Sequence, residues 1–157
     1  MASIRTRLFQ SWFRLSRPMT LGVRAAVENE AGHVFMVRHT YVKGWHMPGG
    51  GVERGEPALE ALRRELVEEA GVRLIADPLV ISLYSNHHIF PNDHVLFYRV
   101  PWGSWEAVPA TQRGEIAETA WVDPLDPIEG ATTGSLMRFE ELYRGGPPSP
   151  YWAVRLP

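Results

Sequence analysis

Residues 50–72 read GGVERGEPALEALRRELVEEAGV, and this stretch decides how the rest of the chain is interpreted. Within it Leu59, Leu62, Leu66 and Ala70 recur at the spacing of one buried helix face. Pro57 suits the first helical position, where its missing N–H is unpaired anyway. Gly71 suits the left-handed residue just past the end, so the spacing predicts a helix over 57–70. Glu65, Glu68 and Glu69 share an adjacent arc at relative positions i, i+3 and i+4. Like charges so placed repel by about 0.2–0.5 kcal/mol per pair, and acids at a helix C-terminus oppose the helix dipole. Two resolutions stay open. The acids form a solvated face partly neutralised by Arg63 and Arg64, or they hold a cation. An all-oxygen donor set without sulfur suits Mg²⁺ or Mn²⁺.

Working outward, residues 21–27 read as a strand, 29–32 as a turn and 33–39 as a second strand. Residues 41–51 form a loop containing a Pro-Gly-Gly-Gly run. Beyond the helix, 79–85, 94–100 and 117–122 read as strands and 133–144 as a second helix, stopped by Gly145-Gly146-Pro147-Pro148. The expected class is α/β, a mixed sheet with helices on its faces. No internal repeat or low-complexity linker interrupts it. The expected organisation is an N-terminal segment (1–18), a central domain (19–145) and a C-terminal tail (146–157) whose Tyr151 and Trp152 predict packing.

The chain of 157 residues suffices for a compact core. A net charge of −2 gives no basic footprint for duplex nucleic acid. The absence of cysteine removes disulfides, thiolate metal sites and cysteine nucleophiles, and it fits a reducing cytoplasm, the expected location. The first 17 residues carry Arg5, Arg7, Arg14 and Arg17 and no acid. Ile4, Leu8, Phe9, Trp12, Phe13 and Leu15 share half of the helical wheel, interrupted by Arg5. Three readings remain open for this segment: a helix docked on its own domain or on the partner subunit of a homodimer, a peripheral membrane contact, or a cleaved transit peptide.

Context decides between the two readings of the acids. Gly50, Glu56, Arg64, Glu65, Leu66, Glu68, Glu69, Gly71 and Val72 stand at the spacing G-x5-E-x7-R-E-U-x-E-E-x-G-U, with U a bulky aliphatic. This resembles the Nudix box, with every defined position filled. The preceding strand pair, Trp45 with Pro48-Gly49-Gly50, and Glu115 to Glu118 before Trp121 look like the family's usual surroundings, so the resemblance covers roughly residues 20 to 143. It implies an α/β/α sandwich with a mixed sheet and metal-dependent hydrolysis of a pyrophosphate bond in a small nucleotide-like substrate. Glu68 and Glu69 would be the main carboxylates for Mg²⁺ or Mn²⁺, with Glu65 as ligand or general base and the Gly49 carbonyl as a further ligand. Arg64 would orient a neighbouring glutamate, and Glu56 would brace the loop. Glu115, with Glu118 as competitor, would complete the site. Glu65 stands ahead of Glu115 as base. A nucleotide-sensing domain without turnover is the alternative, opposed by the intact acids.

Arg24 interrupts an apolar strand, a costly place for an unpaired charge; it pairs with a carboxylate or meets phosphate. Arg38 offers either a salt bridge or a substrate contact. Tyr41 and Trp45 offer base stacking or core packing. His87, His88 and His94 do not read as a metal site, because adjacent strand residues face opposite ways. The positions that mark ADP-ribose and dinucleoside polyphosphate enzymes in the family hold His87, His88 and Ile89 instead of proline or tyrosine. The bond is specified, and the leaving group is not.

Overall fold

A computed structural model describes residues 4–112 and 114–154. Residues 1–3 of the N-terminal segment, the side chain of Arg5 and residues 155–157 of the tail lie outside the described residues. The elements run α1 (Ile4–Ser16), β1 (Thr20–Val27), β2 (Val34–His39), β3 (Trp45–His46), α2 (Ala58–Glu65), β4 (Val72–Leu74), β5 (Leu79–Ser85), β6 (Asp93–Val100), β7 (Trp105–Ala107), β8 (Ile116–Val122) and α3 (Thr133–Tyr143). A single π-helical turn, Leu66–Ala70, continues α2. One sheet is ordered β1-β6-β5 and a second β3-β2-β8, while β4 and β7 make a two-stranded ribbon. β1 runs parallel to β6, and β5 antiparallel to it, so the first sheet is mixed.

Alternation along the strands builds two apolar layers. Val23, Ala25 and Val27 of β1 and Phe35 and Val37 of β2 face Ala61, Leu62 and Leu66 of the α2 helix. The intervening Ala26, Val34 and Met36 pack with Phe97 of β6, Val122 of β8 and Phe139 of α3. A helix therefore covers each face. Full burial of a leucine such as Leu62 or Leu66 contributes about 1.5–3 kcal/mol each, and Leu62→Ala would open a cavity between α2 and β1.

The five longer strands and α3 coincide with the sequence reading to within a residue. Three short strands were expected as loop or left unassigned: β3, β4 and β7, each of two or three residues. Too few residues alternate in them for periodicity to register, and pairing across the sheet creates them. Two helix-end expectations also differ. Pro57 is the N-cap, in extended conformation, rather than the first helical residue. The last turn is π rather than α, closed by the Gly71 N–H donating to the Leu66 carbonyl. Gly71 itself is left-handed at φ 62°, as the spacing requires.

The tail folds back along β5. The Ser85 N–H donates to the Pro150 carbonyl and the Trp152 N–H to the Ser85 carbonyl, both at 2.9 Å. The Trp152 indole packs against Tyr84 and Phe97 and closes over Gly134, where even a Cβ would lie 2.3 Å from its Nε1.

Candidate active site

The loop before α2 is held against β1 by backbone bonds. Val23 N–H donates to Gly50 O at 2.8 Å, Ala25 N–H to Pro48 O at 3.1 Å, and Val52 N–H to Leu21 O at 2.9 Å. So close an approach excludes side chains. A Cβ on Gly49, whose φ is +141°, would lie 2.0 Å from Val23 O, and one on Gly50 would lie 2.5 Å from the Glu65 carboxyl. The glycines thus bring the loop under the acidic end of the helix.

Arg64 organises that end. Its Nε and Nη2 donate to the two Glu56 oxygens at 3.0 and 3.1 Å, the bidentate pairing a guanidinium favours. Its Nη1 donates to Glu65 at 2.7 Å and Glu68 at 3.3 Å, and Nη2 also reaches Gly51 O at 3.2 Å. Glu56 therefore braces loop to helix, and Arg64 orients two further glutamates. Gln112 holds Glu68 from the other side, through Nε2 to the carboxylate at 3.0 Å and its N–H to the Glu68 carbonyl at 3.1 Å.

Glu69 points inward and is buried. One carboxylate oxygen meets His39 Nε2 at 2.7 Å, and the other accepts from Gly49 N–H at 3.0 Å. Glu69, one residue after Glu68, points to a different side of the helix, towards His39 of β2, while Glu65 and Glu68 stay beside Arg64.

These residues line a cavity of about 400 Å³ with Arg24, Tyr41, His46, Gly49 and Glu115 among its walls. Burial pushes the Glu65 carboxyl above its ordinary pKa, and Glu69 and Glu68 add to the rise against the pull of Arg64. Arg64 donation holds Glu56 below the usual range. Burial lowers Arg24, which donates to the Met47 carbonyl at 2.8 Å and feels Glu69 and Glu65. Burial and then Arg24 push His46 down to about 4. Tyr41 is raised by burial and by Glu115.

The sequence-predicted residues thus converge in part. Glu65, Glu68, Glu69, Glu115, Gly49, Gly50, Arg64, Arg24 and Tyr41 meet at this cavity. Arg38 does not reach it. It lies on the opposite face of β2 from His39 and pairs with Glu118 of β8 at 2.6 Å, so neither Arg38 nor the competing Glu118 lines the cavity. Sequence reasoning passed over His39, Gln112 and His46. Strand alternation carries the signal for His39, since Val37 already faces α2 and His39 must follow it. Nothing local marks Gln112.

A wider cleft of about 740 Å³ adjoins the acidic cavity, sharing Arg24, Val42, His46, Gly50 and Gly51 with it. Its walls mix apolar Leu21, Phe90, Val95 and Trp152 with polar Asn86 and Asp93. The Asp93 carboxylate is fixed there by Thr20 Oγ1 at 2.7 Å and Asn86 Nδ2 at 2.8 Å.

The site is a strongly acidic pocket under a glycine-rich loop, opening into a mixed cleft on an α/β fold. The NUDIX domain profile matches residues 18–137, and the chain belongs to that family. A putative 8-oxo-dGTP diphosphatase of Bacillus subtilis is 32% identical over 105 residues, 67% of this chain and 67% of that protein. An RNA pyrophosphohydrolase of Bartonella bacilliformis is 42% identical over 67 residues, 37% of this chain and 39% of that protein. The chain thus matches well under half of the Bartonella relative. The crystal structure of a MutT NUDIX hydrolase from Burkholderia pseudomallei superposes with a TM-score of 0.65 at 19% identity, covering 78% of this chain and 97% of that one. At that identity the likeness concerns the fold, which is the expected sandwich.

Proposed function

We propose that this chain hydrolyses a pyrophosphate bond in a nucleotide-like small molecule. The observation that carries the reading is the junction of two spaces: a cavity ringed by Glu65, Glu68, Glu69 and Glu115, and a nucleoside-sized cleft sharing Arg24 and His46 with it. A phosphate chain fits the first, where Arg24 meets it. A base and sugar fit the second.

The donor set suits a hard divalent cation, Mg²⁺ or Mn²⁺. It is all oxygen; burial is the main cause of the raised Glu65 pKa, and the smaller repulsion from Glu69 and Glu68 is what a cation relieves. Among the described residues no three acidic or histidine side chains converge on an ion as they stand, since Arg64 and His39 engage the carboxylates. Glu68 and Glu69 would hold the ion, with the Gly49 carbonyl beside them and Glu65 left to act as base. The ion would supply charge neutralisation and Lewis acidity at the anhydride. Arg24 orients the phosphoryl oxygens. A water oxygen attacks phosphorus, the bridging P–O bond breaks, and the departing phosphate keeps the electron pair. Glu65, with its raised pKa, takes the water proton. Arg64 and Gln112 hold the carboxylates in place, which is the positioning that phosphoryl transfer depends on.

The deciding experiment is a panel supplemented with Mg²⁺ or Mn²⁺: nucleoside triphosphates, ADP-ribose, nucleotide sugars, dinucleoside polyphosphates and a 5′-triphosphorylated oligonucleotide, with products resolved. Turnover of a small nucleotide by cleavage of its phosphoanhydride bond is expected, with the two phosphorylated products identifying the leaving group. Tight nucleotide binding without turnover of any compound would instead give the chain a sensing role.

A further inference from the structure

The apolar side of α1 is left uncovered by the rest of the described chain. Ile4, Leu8, Phe9, Trp12 and Leu15 are all exposed, from 58% at Trp12 to 83% at Leu15. Phe13 joins Phe9 and Trp12 in an aromatic cluster, with ring centroids at 4.5 and 5.1 Å. On a helical wheel the opposite arc holds Thr6, Gln10 and Ser11 together with Arg7 and Arg14, and Arg17 continues it. The Arg17 guanidinium lies over the Phe13 ring at 4.7 Å, at the boundary between the two arcs. No acid precedes Glu28 in the sequence.

A helix of 13 residues is marginal in water by itself, and one that offers bulky apolar groups to solvent calls for a surface. Charge selects which. The charges on the polar arc are all cationic, so the matching surface is anionic. A second copy could cover the apolar side but would leave the arginine arc facing water without an anionic partner. Among the described residues no helix is long and apolar enough to cross a membrane. At the helical rise α1 reaches only roughly 20 Å against a hydrocarbon core of about 30 Å. Its geometry is that of a helix lying in the headgroup plane. Exposed Met19 follows it directly, and Ile89 and Phe90, also exposed, sit at the same end of the sheet, where the Thr20 N–H donates to the Asn92 carbonyl.

We infer that α1 is an in-plane anchor that docks this protein on an anionic lipid surface, aromatic side down and arginines at the headgroups. Each arginine near such a surface contributes roughly fivefold in partitioning, so three contribute on the order of a hundredfold.

The test is co-sedimentation of the full chain with vesicles of phosphatidylcholine and phosphatidylglycerol in equal parts, compared with phosphatidylcholine alone. Wild type should sediment with the anionic vesicles, release at raised salt, and gain helical circular dichroism on binding. Replacing Arg7, Arg14 and Arg17 by Glu should lower partitioning by a hundredfold or more. Phe9→Ser with Trp12→Ser should abolish it through a different term. Melting temperatures close to wild type check that both variants are folded, and either variant alone decides the matter if the other is not. Failure of wild type to bind anionic vesicles overturns the inference, as does binding that neither variant weakens. A concentration-dependent dimer lost in Phe9→Ser with Trp12→Ser, without vesicle binding, assigns the face to a second copy instead.

Discussion

At the scale of single residues, the acids of the helix end are distinguished by their partners rather than by their spacing. Glu68 shares Arg64 and Gln112, so Glu68→Gln trades relief from Glu65 and Glu69 against a weakened ion pair. With chelator present its melting temperature should stay within roughly two degrees of wild type. In saturating Mg²⁺ or Mn²⁺ the wild type should pull ahead, since binding to the folded state alone is worth about 2.7 kcal/mol at a hundredfold excess over Kd. Turnover of the variant should fall by orders of magnitude; equal metal shifts in both proteins would remove Glu68 from the ligand set. Arg24→Met tests the phosphate contact. It removes one hydrogen bond to Met47 O, a loss of about 1 kcal/mol in stability, and should act mainly on kcat/KM. Unchanged kinetics would make Arg24 structural. His46 gives a pH prediction with a definite sign. Its folded pKa of about 4 lies below the ordinary value of 6.5, so the unfolded chain binds the proton more readily between those values. The stability tied to neutral His46 is complete above 6.5 and is lost as pH falls through about 4. His46→Gln should flatten that part of the melting-temperature profile, and parallel profiles would refute the assignment.

At the scale of elements, the junction of α2, the π turn and β4 sets the acid geometry. Gly71 is the pivot. It is left-handed, and a Cβ there would lie 2.4 Å from the Val108 carbonyl. Gly71→Ala should destabilise by about 2 kcal/mol or more, from the left-handed conformation and the displaced strand end together. The Gly71 carbonyl also accepts from the Val108 N–H at 2.8 Å, four residues ahead of Gln112. The variant should therefore lose kcat beyond what its unfolded fraction explains. A denaturant midpoint measured beside activity at low temperature separates the two effects, and a kcat that tracks only the folded fraction would confine Gly71 to stability. The main helix and the longer strands were legible because their apolar periods persist over several residues. The π turn was not, since it substitutes one residue's worth of register inside an unbroken apolar stripe. Nor was Arg38's destination: its strand was clear, but its pairing with Glu118 depends on β8 arriving beside β2.

At the scale of the molecule, the tail ties β5 to α3. Trp152 packs on Tyr84, Phe97 and Arg138 and also forms part of the cleft wall. Trp152→Ala should cost about 3 kcal/mol, near the lower end for large aromatic truncations because the indole is only half-buried. It should also weaken nucleotide binding by widening the cleft; a stability change under about 1 kcal/mol would show the tail to be a passive cover. By itself the sequence determined the α/β class, the helix that carries the acids, the glycines that must flank it and the box that places the chain in its family. Those features are local, since a 23-residue segment holds both the periodicity and the spacing. Only the tertiary structure decided that Glu69 faces His39, that Gln112 steadies Glu68, that Arg24 reaches the cavity while Arg38 turns away, and that the acidic cavity opens into a cleft closed by Trp152. Each of these joins residues tens of positions apart, and nothing short of the packed sheet fixes which face of one strand meets which turn of a helix.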